Sequence, residues 1–320
     1  MGDAIMSKVA ILLMAHGGPD SLDDIEPFLG YIMGGHGAQP SPEIIAAVKS
    51  RYQLIGGRSP LLEITTQQAA ALEKELNKKT DRFSVYVGMR HWSPFIKDTL
   101  REIIMDKPEY LVAISMAPQY SKMSVGAYIE AAQKALLSEG GGDIPATFVR
   151  HWHNQPLLLD AFSKKVKEGL LAYPEADRAD LFILFTAHSL PESIRADHDP
   201  YPTHLQETVD GVVKRLGSLV SPDQWRFAYQ SQGMRGGVWL GPPVEEIFSA
   251  IEAAGRWKKI LVAPIGFIAD HVEILYDIDI LYKGIAEKKG IQLRRTESLN
   301  VTPLFIQALA ATVHTHLPIE

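Results

Sequence analysis

The chain has 320 residues, no cysteine and a formal net charge of −6. That length accommodates two domains of ordinary size or one large one, and 46% apolar with 22% charged residues is a globular composition. The missing cysteine excludes disulfides, thiolate zinc sites and cysteine-ligated iron–sulfur clusters. An acidic balance with no basic run beyond pairs such as Lys258-Lys259 and Arg294-Arg295 leaves no footprint for nucleic acid.

Strand-like and helix-like segments alternate from one end to the other. A buried strand is predicted over 9–15, then amphipathic helices over 42–52, with Ser41 as N-cap, and 65–78. A strand at 83–89, a helix at 94–105, a strand at 110–117, a helix at 125–137 and a strand at 146–150 follow. Next come a helix at 157–171, a strand at 180–187, a helix from 203 to 216 with Thr203 as N-cap, and a strand at 225–230. A helix at 243–254, a strand at 259–265, a helix at 272–288, a short strand at 291–294 and a helix at 303–316 complete the series. Such alternation argues for βαβ units and parallel sheets, an α/β fold.

The two halves resemble one another. The runs Val9–Met14 and Leu181–Thr186 both end in Ala-His, at His16 and His188, with a proline turn beyond. Later strands end in Ala-Pro in each half, at Pro118 and Pro264. Gly140-Gly141-Gly142 is the best linker candidate, and the predicted division is residues 1–145 plus a C-terminal helix at 303–320 against 146–302. The run from Val9 to Ala15 is too short to span a bilayer and carries no signal-peptide cleavage pattern. A soluble cytoplasmic protein is expected, with a peripheral membrane contact left open.

Dinucleotide binding, the default for this pattern, fails: no G-x-G-x-x-G follows a strand, and neither a Walker lysine motif nor a G-x-S-x-G elbow is present. Chemistry-bearing residues gather elsewhere. His16 and His188 stand at strand carboxyl ends, where ligands bind in open α/β sheets. A third segment, Gly266 to Asp279, starts a helix if Asp270 opens it, and then Glu273 and Asp277 share one face. Two such carboxylates are ordinarily a solvated face. Here Phe267, Ile268, Ile274, Leu275 and Ile278 surround them, so a cation or proton must relieve them. Hard oxygen ligands beside imidazole suit Fe²⁺, Mg²⁺ or Mn²⁺. Arg51, Arg58 and Ser59 offer guanidinium and hydroxyl groups to an anion. Tyr120, Met123, Tyr128, Trp152 and Trp239 supply core or a flat apolar site. His151 and His153 read as an exposed edge, and His314 and His316 as uninvolved.

Several segments together resemble the ferrochelatase family, whose members insert Fe²⁺ into a porphyrin in heme synthesis. They are Met14–Pro19, Arg51–Leu61, Gly88–Pro94, Ala117–Tyr128, Thr186–Glu192, Asp199–Pro202, Gln230–Ser231 with Trp239–Pro242, and Gly266–Asp279. The resemblance implies the chelatase fold, two Rossmann-like halves with parallel sheets and a porphyrin cleft between them. It carries the catalytic pair onto His188 and Glu273, which handle the metal and take protons from the pyrrole nitrogens, with their division of labour open. Asp277 becomes a relay or auxiliary ligand. Arg51, Arg58, Ser59, Tyr128 and Trp239 become substrate-binding residues.

Two departures from the family pattern stand out. His16 occupies a position often held by tyrosine or methionine, so it is read as an axial ligand to the inserted iron. Leu281 replaces an acid one turn beyond Asp277, which puts an auxiliary metal site on that ladder in doubt. Relatives acting on coproporphyrin III tend to carry the Arg51, Ser59 and Tyr128 equivalents, whereas an arginine expected near Met33 is absent. Coproporphyrin III is therefore favoured over protoporphyrin IX. Fe²⁺ enters as substrate with no permanent cofactor, and a monomer with porphyrin substrate and heme product is expected. The alternatives are a cobalt or nickel chelatase of the same fold and a non-catalytic heme or porphyrin carrier.

Overall fold

The computed structural model describes residues 8–34, 39–233 and 237–318. The extreme ends of the predicted first half lie outside them. The chain divides into two compact units, Met1–Gln155 with Asn300–Glu320, and Pro156–Leu299.

The first unit is built around β1 (Val9–Ala15), buried along its whole length. Both faces of such a strand must be covered, which is why it reads as an unbroken apolar run. After it come α1 (Ile25–Gly34), α2 (Pro42–Leu54), α3 (Leu61–Leu76), β2 (Phe83–Met89), α4 (Ile96–Met105) and β3 (Tyr110–Ser115). A π-helical turn at Lys122–Gly126 then leads into α5 (Ala127–Ser138), followed by β4 (Ala146–Val149). The sheet is parallel in the order β2-β1-β3-β4. Ala10, Leu12 and Met14 on one face of β1 meet Ile96, Leu100 and Ile103 of α4 and Ala132, Ala135 and Leu136 of α5. The α4 residues are spaced i, i+4, i+7, one helical stripe. Each such side chain taken fully out of water contributes about 1.5–3 kcal/mol.

The second unit comprises α6 (Pro156–Leu171), the single turn α7 (Glu175–Arg178), β5 (Leu181–His188), α8 (Tyr201–Leu216), β6 (Trp225–Gln230), α9 (Val244–Ala254) and β7 (Lys259–Ala263). These are followed by α10 (Val272–Leu275), a π-helical segment at Asp277–Tyr282, α11 (Lys283–Lys288) and β8 (Gln292–Arg295). Its parallel sheet runs β6-β5-β7-β8, the order of the first sheet displaced by four strands. Phe182, Leu184, Ile260 and Val262 pack on Val244, Phe248 and Ile251 of α9 and on Ile274, Ile278 and Tyr282 of the segment beyond β7. The chain then returns to the first unit as α12 (Pro303–Thr315), which packs on α3, where Gln68 Nε2 donates to Asn300 O at 2.8 Å. In each sheet the strand bearing the Ala-His end is the one from which the strand order runs both ways. That strand's carboxyl end is the ligand position in a doubly wound sheet.

Four sequence expectations change. The division falls after Gln155 and again after Leu299, not at 145 and 302, because β4 pairs with β3 and so completes the first sheet. Gly140-Gly141-Gly142 is therefore a turn inside that unit. Gly140 has φ +85°, and a Cβ on Gly141 would lie 2.7 Å from Leu136 and 2.8 Å from Ile104. Helix α8 opens at Tyr201, not Thr203, because Asp199 Oδ1 accepts from Tyr201 N at 3.0 Å and Pro202 suits a first turn. Helix α1 was not foreseen, although Ile25, Phe28 and Leu29 carry its buried i, i+3, i+4 face. Ser41 does cap α2, accepting from Ile44 N.

One glycine ties the fold to the end of β5. Gly266 N donates to Thr186 O at 3.2 Å, and a Cβ there would lie 2.5 Å from Ala187 Cβ and 2.8 Å from its Cα. Backbone cannot yield cheaply, so Gly266→Ala is expected to cost about 1–3 kcal/mol. Urea unfolding reads this as a lowered midpoint at constant slope; an unchanged midpoint contradicts the close approach.

Candidate active site

His188 is the last residue of β5, and the turn after it is pinned from several directions. Ser189 N donates to Gln230 O at 2.8 Å and Ser189 Oγ to Leu240 O at 2.9 Å. Tyr201, the first residue of α8, donates its hydroxyl to His188 O at 2.9 Å. The ring nitrogen Nδ1 lies against Ser189 O, and a carbonyl can only accept, so Nδ1 carries the hydrogen. That leaves Nε2 as the nitrogen whose protonation changes, and it stands 3.4 Å from Glu273 Oε1.

Glu273 belongs to α10, and Gln230 Nε2 donates to its backbone carbonyl at 2.8 Å. Its other carboxylate oxygen, Oε2, lies 3.4 Å from Nε2 of His271, whose Nδ1 contacts Ala269 O at 3.0 Å and whose ring leans on Phe267. The carboxylate thus sits between two imidazoles. His271 was missed from sequence because residues two apart do not face each other on a helix. It precedes the helix in extended backbone, φ −162° and ψ −175°, which lets the two side chains meet.

Electrostatics follow from this arrangement. Burial disfavours the imidazolium of His188, but the Glu273 charge and hydrogen bond, the Ser189 carbonyl and the charge of Asp277 outweigh it and raise its pKa above 6.5. Burial likewise works against the Glu273 carboxylate, yet His188 and His271 hold it well below 4.5. The two shifts are complementary: an imidazolium beside a carboxylate is the favoured state of the pair.

Asp277 is buried and receives the hydroxyl of Ser231. Ser231 itself is left-handed at φ +58°, with its N–H donated to Tyr282 Oη at 3.2 Å. A non-glycine residue there is strained and must be held by its surroundings. Helix α10 ends at Leu275 and a π-helical segment starts at Asp277, so the two acids stand on locally different helical windings. Glu273 meets the histidines, and Asp277 meets Ser231 just beyond β6 while its charge also acts on His188. Asp279 and Asp270 are taken by Arg295: its Nε and Nη2 donate to the two Asp279 oxygens at 2.8 and 3.0 Å, and Nη2 lies 3.2 Å from Asp270. Trp239 pairs across a bridge with Pro191, in the turn after His188, and lies over Gly233, where a Cβ would meet the indole at 2.5 Å.

In the first unit, His16 follows β1 and is exposed, with Nδ1 3.1 Å from Gly17 O and its ring beside His91 and Phe28. Ser59 is buried against Gly18, and its hydroxyl accepts from Leu61 N at 3.3 Å. Arg51 is half-buried in the last turn of α2, and Tyr128 is buried in the first turn of α5. Arg58 is exposed and paired with Glu63 at 3.2 Å. His153 is buried, not an exposed edge, because the chain beyond β4 turns inward at Trp152, whose Nε1 donates to Ser115 O. His151 is exposed. His316 Nδ1 donates to Thr312 O at the end of α12.

A family model described as Ferrochelatase matches residues 8–317. The chain is 37% identical over 308 residues to a ferrochelatase of Herpetosiphon aurantiacus, covering 96% of this chain and 98% of that one. It is 38% identical over 305 residues to a ferrochelatase of Deinococcus radiodurans, covering 95% of each. With a coproporphyrin III ferrochelatase of Listeria monocytogenes the identity is 37% over 308 residues, covering 96% and 97%. Among solved structures, the sirohydrochlorin chelatase SirB of Bacillus subtilis superposes with a TM-score of 0.54 at 10% identity, covering 96% and 94%. CbiX, described as the terminal enzyme of siroheme biosynthesis in denitrifying bacteria, gives 0.52 at 10%, covering 97% and 100%. At such identities these structures share the fold alone. The match along 8–317 and the identity over nearly the whole length settle the lineage: the chain belongs to the ferrochelatase family.

Proposed function

We propose that this chain inserts Fe²⁺ into a porphyrin, coproporphyrin III in preference to protoporphyrin IX. The observation that carries the reading is the His188–Glu273 pair, Nε2 to Oε1 at 3.4 Å, with their pKa values pushed apart. Several similar relatives are named coproporphyrin III ferrochelatases, which supports the preference, as do Arg51, Ser59 and Tyr128. The reading takes the chain as a cytoplasmic monomer that releases the iron porphyrin. Among the described residues no helix is long and apolar enough to cross a membrane.

Metal insertion removes two pyrrole N–H protons and the water shell of Fe²⁺. With Nδ1 committed to Ser189, His188 Nε2 is the nitrogen that accepts a pyrrole proton, and the resulting imidazolium is stabilised by Glu273. Glu273, flanked by His271 as well, stays ionised and offers a hard oxygen to the incoming cation. Asp277, tied to Ser231, is the next carboxylate for the proton, and its charge also favours the imidazolium. His16, at the end of the first sheet, would hold the inserted iron as a ligand, and Arg51, Ser59, Tyr128 and Trp239 would bind the porphyrin.

Anaerobic incubation with Fe²⁺ is expected to convert coproporphyrin III to its iron complex faster than protoporphyrin IX, followed by the Soret band. His188→Ala should reduce turnover by about 10²–10⁴, the usual contribution of a positioned base. Full activity in that variant refutes the assignment, and absence of turnover with Fe²⁺ but not Co²⁺ refutes the metal.

The pH dependence has a definite sign. Below its raised pKa His188 already holds a proton and cannot accept another, so turnover rises with pH through a value above 6.5. Glu273→Gln removes the strongest of the contacts that oppose burial, which moves His188 titration, followed by NMR in the metal-free protein, to lower pH. The pair also affects stability. The His188 share is complete below 6.5 and is lost as pH rises through its raised value. The Glu273 share is complete above 4.5 and is lost as pH falls through its lowered value. An unmoved titration in Glu273→Gln contradicts the coupling.

His16→Ala should alter the ligand-field and Soret bands of the bound iron porphyrin; identical spectra remove His16 as the ligand.

A further inference from the structure

Arg90 is the first residue beyond β2, and its N–H donates to Ala15 O at 2.9 Å while His91 N donates to His16 O at 3.0 Å. These two bonds fasten the residue beside the strand end that carries His16. Its side chain is half-buried, and the guanidinium lies over the Tyr128 ring, 5.5 Å from the centroid.

Among the described residues, three arginines meet an aromatic ring and no carboxylate or carbonyl oxygen: Arg90, Arg150 and Arg294. Arg150 and Arg294 are exposed, so water satisfies them. Arg90 is the half-buried one. A guanidinium keeps its charge at any ordinary pH, and five N–H donors lie in its plane. The Tyr128 ring lies beneath the guanidinium carbon, and the N–H fork matches a planar carboxylate with two parallel hydrogen bonds. A partly desolvated cation without an anionic partner is costly to keep, and an anionic ligand removes the cost. Arg58, by contrast, is exposed and pairs with Glu63.

We propose that Arg90 is a specificity-determining residue that binds a propionate carboxylate of the porphyrin from its place over the Tyr128 ring. The inference rests on the porphyrin reading of the preceding subsection and names one group of that site.

The test is a fluorescence titration of metal-free protein with coproporphyrin III and with its tetramethyl ester, which keeps the macrocycle and loses the charges. Arg90→Leu is expected to weaken the tetra-acid about tenfold, the order of one charge-assisted pair, and to shift the ester less than about twofold. Arg90→Lys keeps the charge without the fork and is expected to weaken the tetra-acid about threefold. Should the leucine variant fail to fold, the lysine variant decides alone. Equal tetra-acid affinity in wild type and variant overturns the role of Arg90 while leaving the functional reading intact. Equal losses for acid and ester also overturn it, showing a packing role. A wild-type protein that binds neither porphyrin overturns the functional reading and this inference together.

Discussion

A carboxylate held between two imidazoles organises the second unit. Glu273 is partly withdrawn from water, and burial alone would drive it to take up a proton. It stays ionised because His188 and His271 each approach within 3.4 Å. The same charge keeps His188 basic. Almost every unusual feature nearby serves that contact. Gln230 grips the backbone of Glu273, Tyr201 and Ser189 orient His188, and Gly266 lets the loop after β7 close onto Ala187. A proton acceptor tuned by its neighbour is what a deprotonating step requires.

The acidic segment needs this support because it is not a regular helix. Four residues of α10 give way to a π-helical segment at Asp277, and so short a helix has little stability of its own. Ile274, Ile278 and Tyr282 anchor it in the core, and polar ties come from both sides. Ser231 holds Asp277 from β6, and Arg295 grips Asp270 and Asp279 from β8. Strain appears where it is useful, in the left-handed Ser231 at the foot of the site.

The topology of each sheet explains why the histidines are where they are. Parallel strands end together, and the switch strand of each doubly wound unit delivers its last side chain to an open edge. The repeat of strand order between the units extends the Ala-His repeat from a few residues to a whole architecture. Their surroundings differ, however. His188 faces a carboxylate, whereas His16 lies beside another histidine and a phenylalanine.

Much of this was legible in the chain. All eight strands and most helices follow from residue order, because burial acts at spacings of two and 3.6 residues and leaves a written pattern, whereas the family was legible through the resemblance of several motifs together. The division at Gln155 did not, since the partner of β4 is decided by hydrogen bonds to a strand over thirty residues earlier. Nor did the pairing of His271 with Glu273, the tie from Ser231 to Asp277, the ion pair of Arg58 or the ring beside Arg90. Each depends on a local backbone departure or on a neighbour distant in sequence: extended backbone at His271, a π-helical segment at Asp277, Glu63 beside Arg58, and Tyr128 beneath Arg90. The sequence by itself determined which segments are buried and which residue types reach the strand ends. Only the tertiary structure decided which charges meet, because electrostatic partners are chosen by distance in space, and spacing along the chain does not encode it.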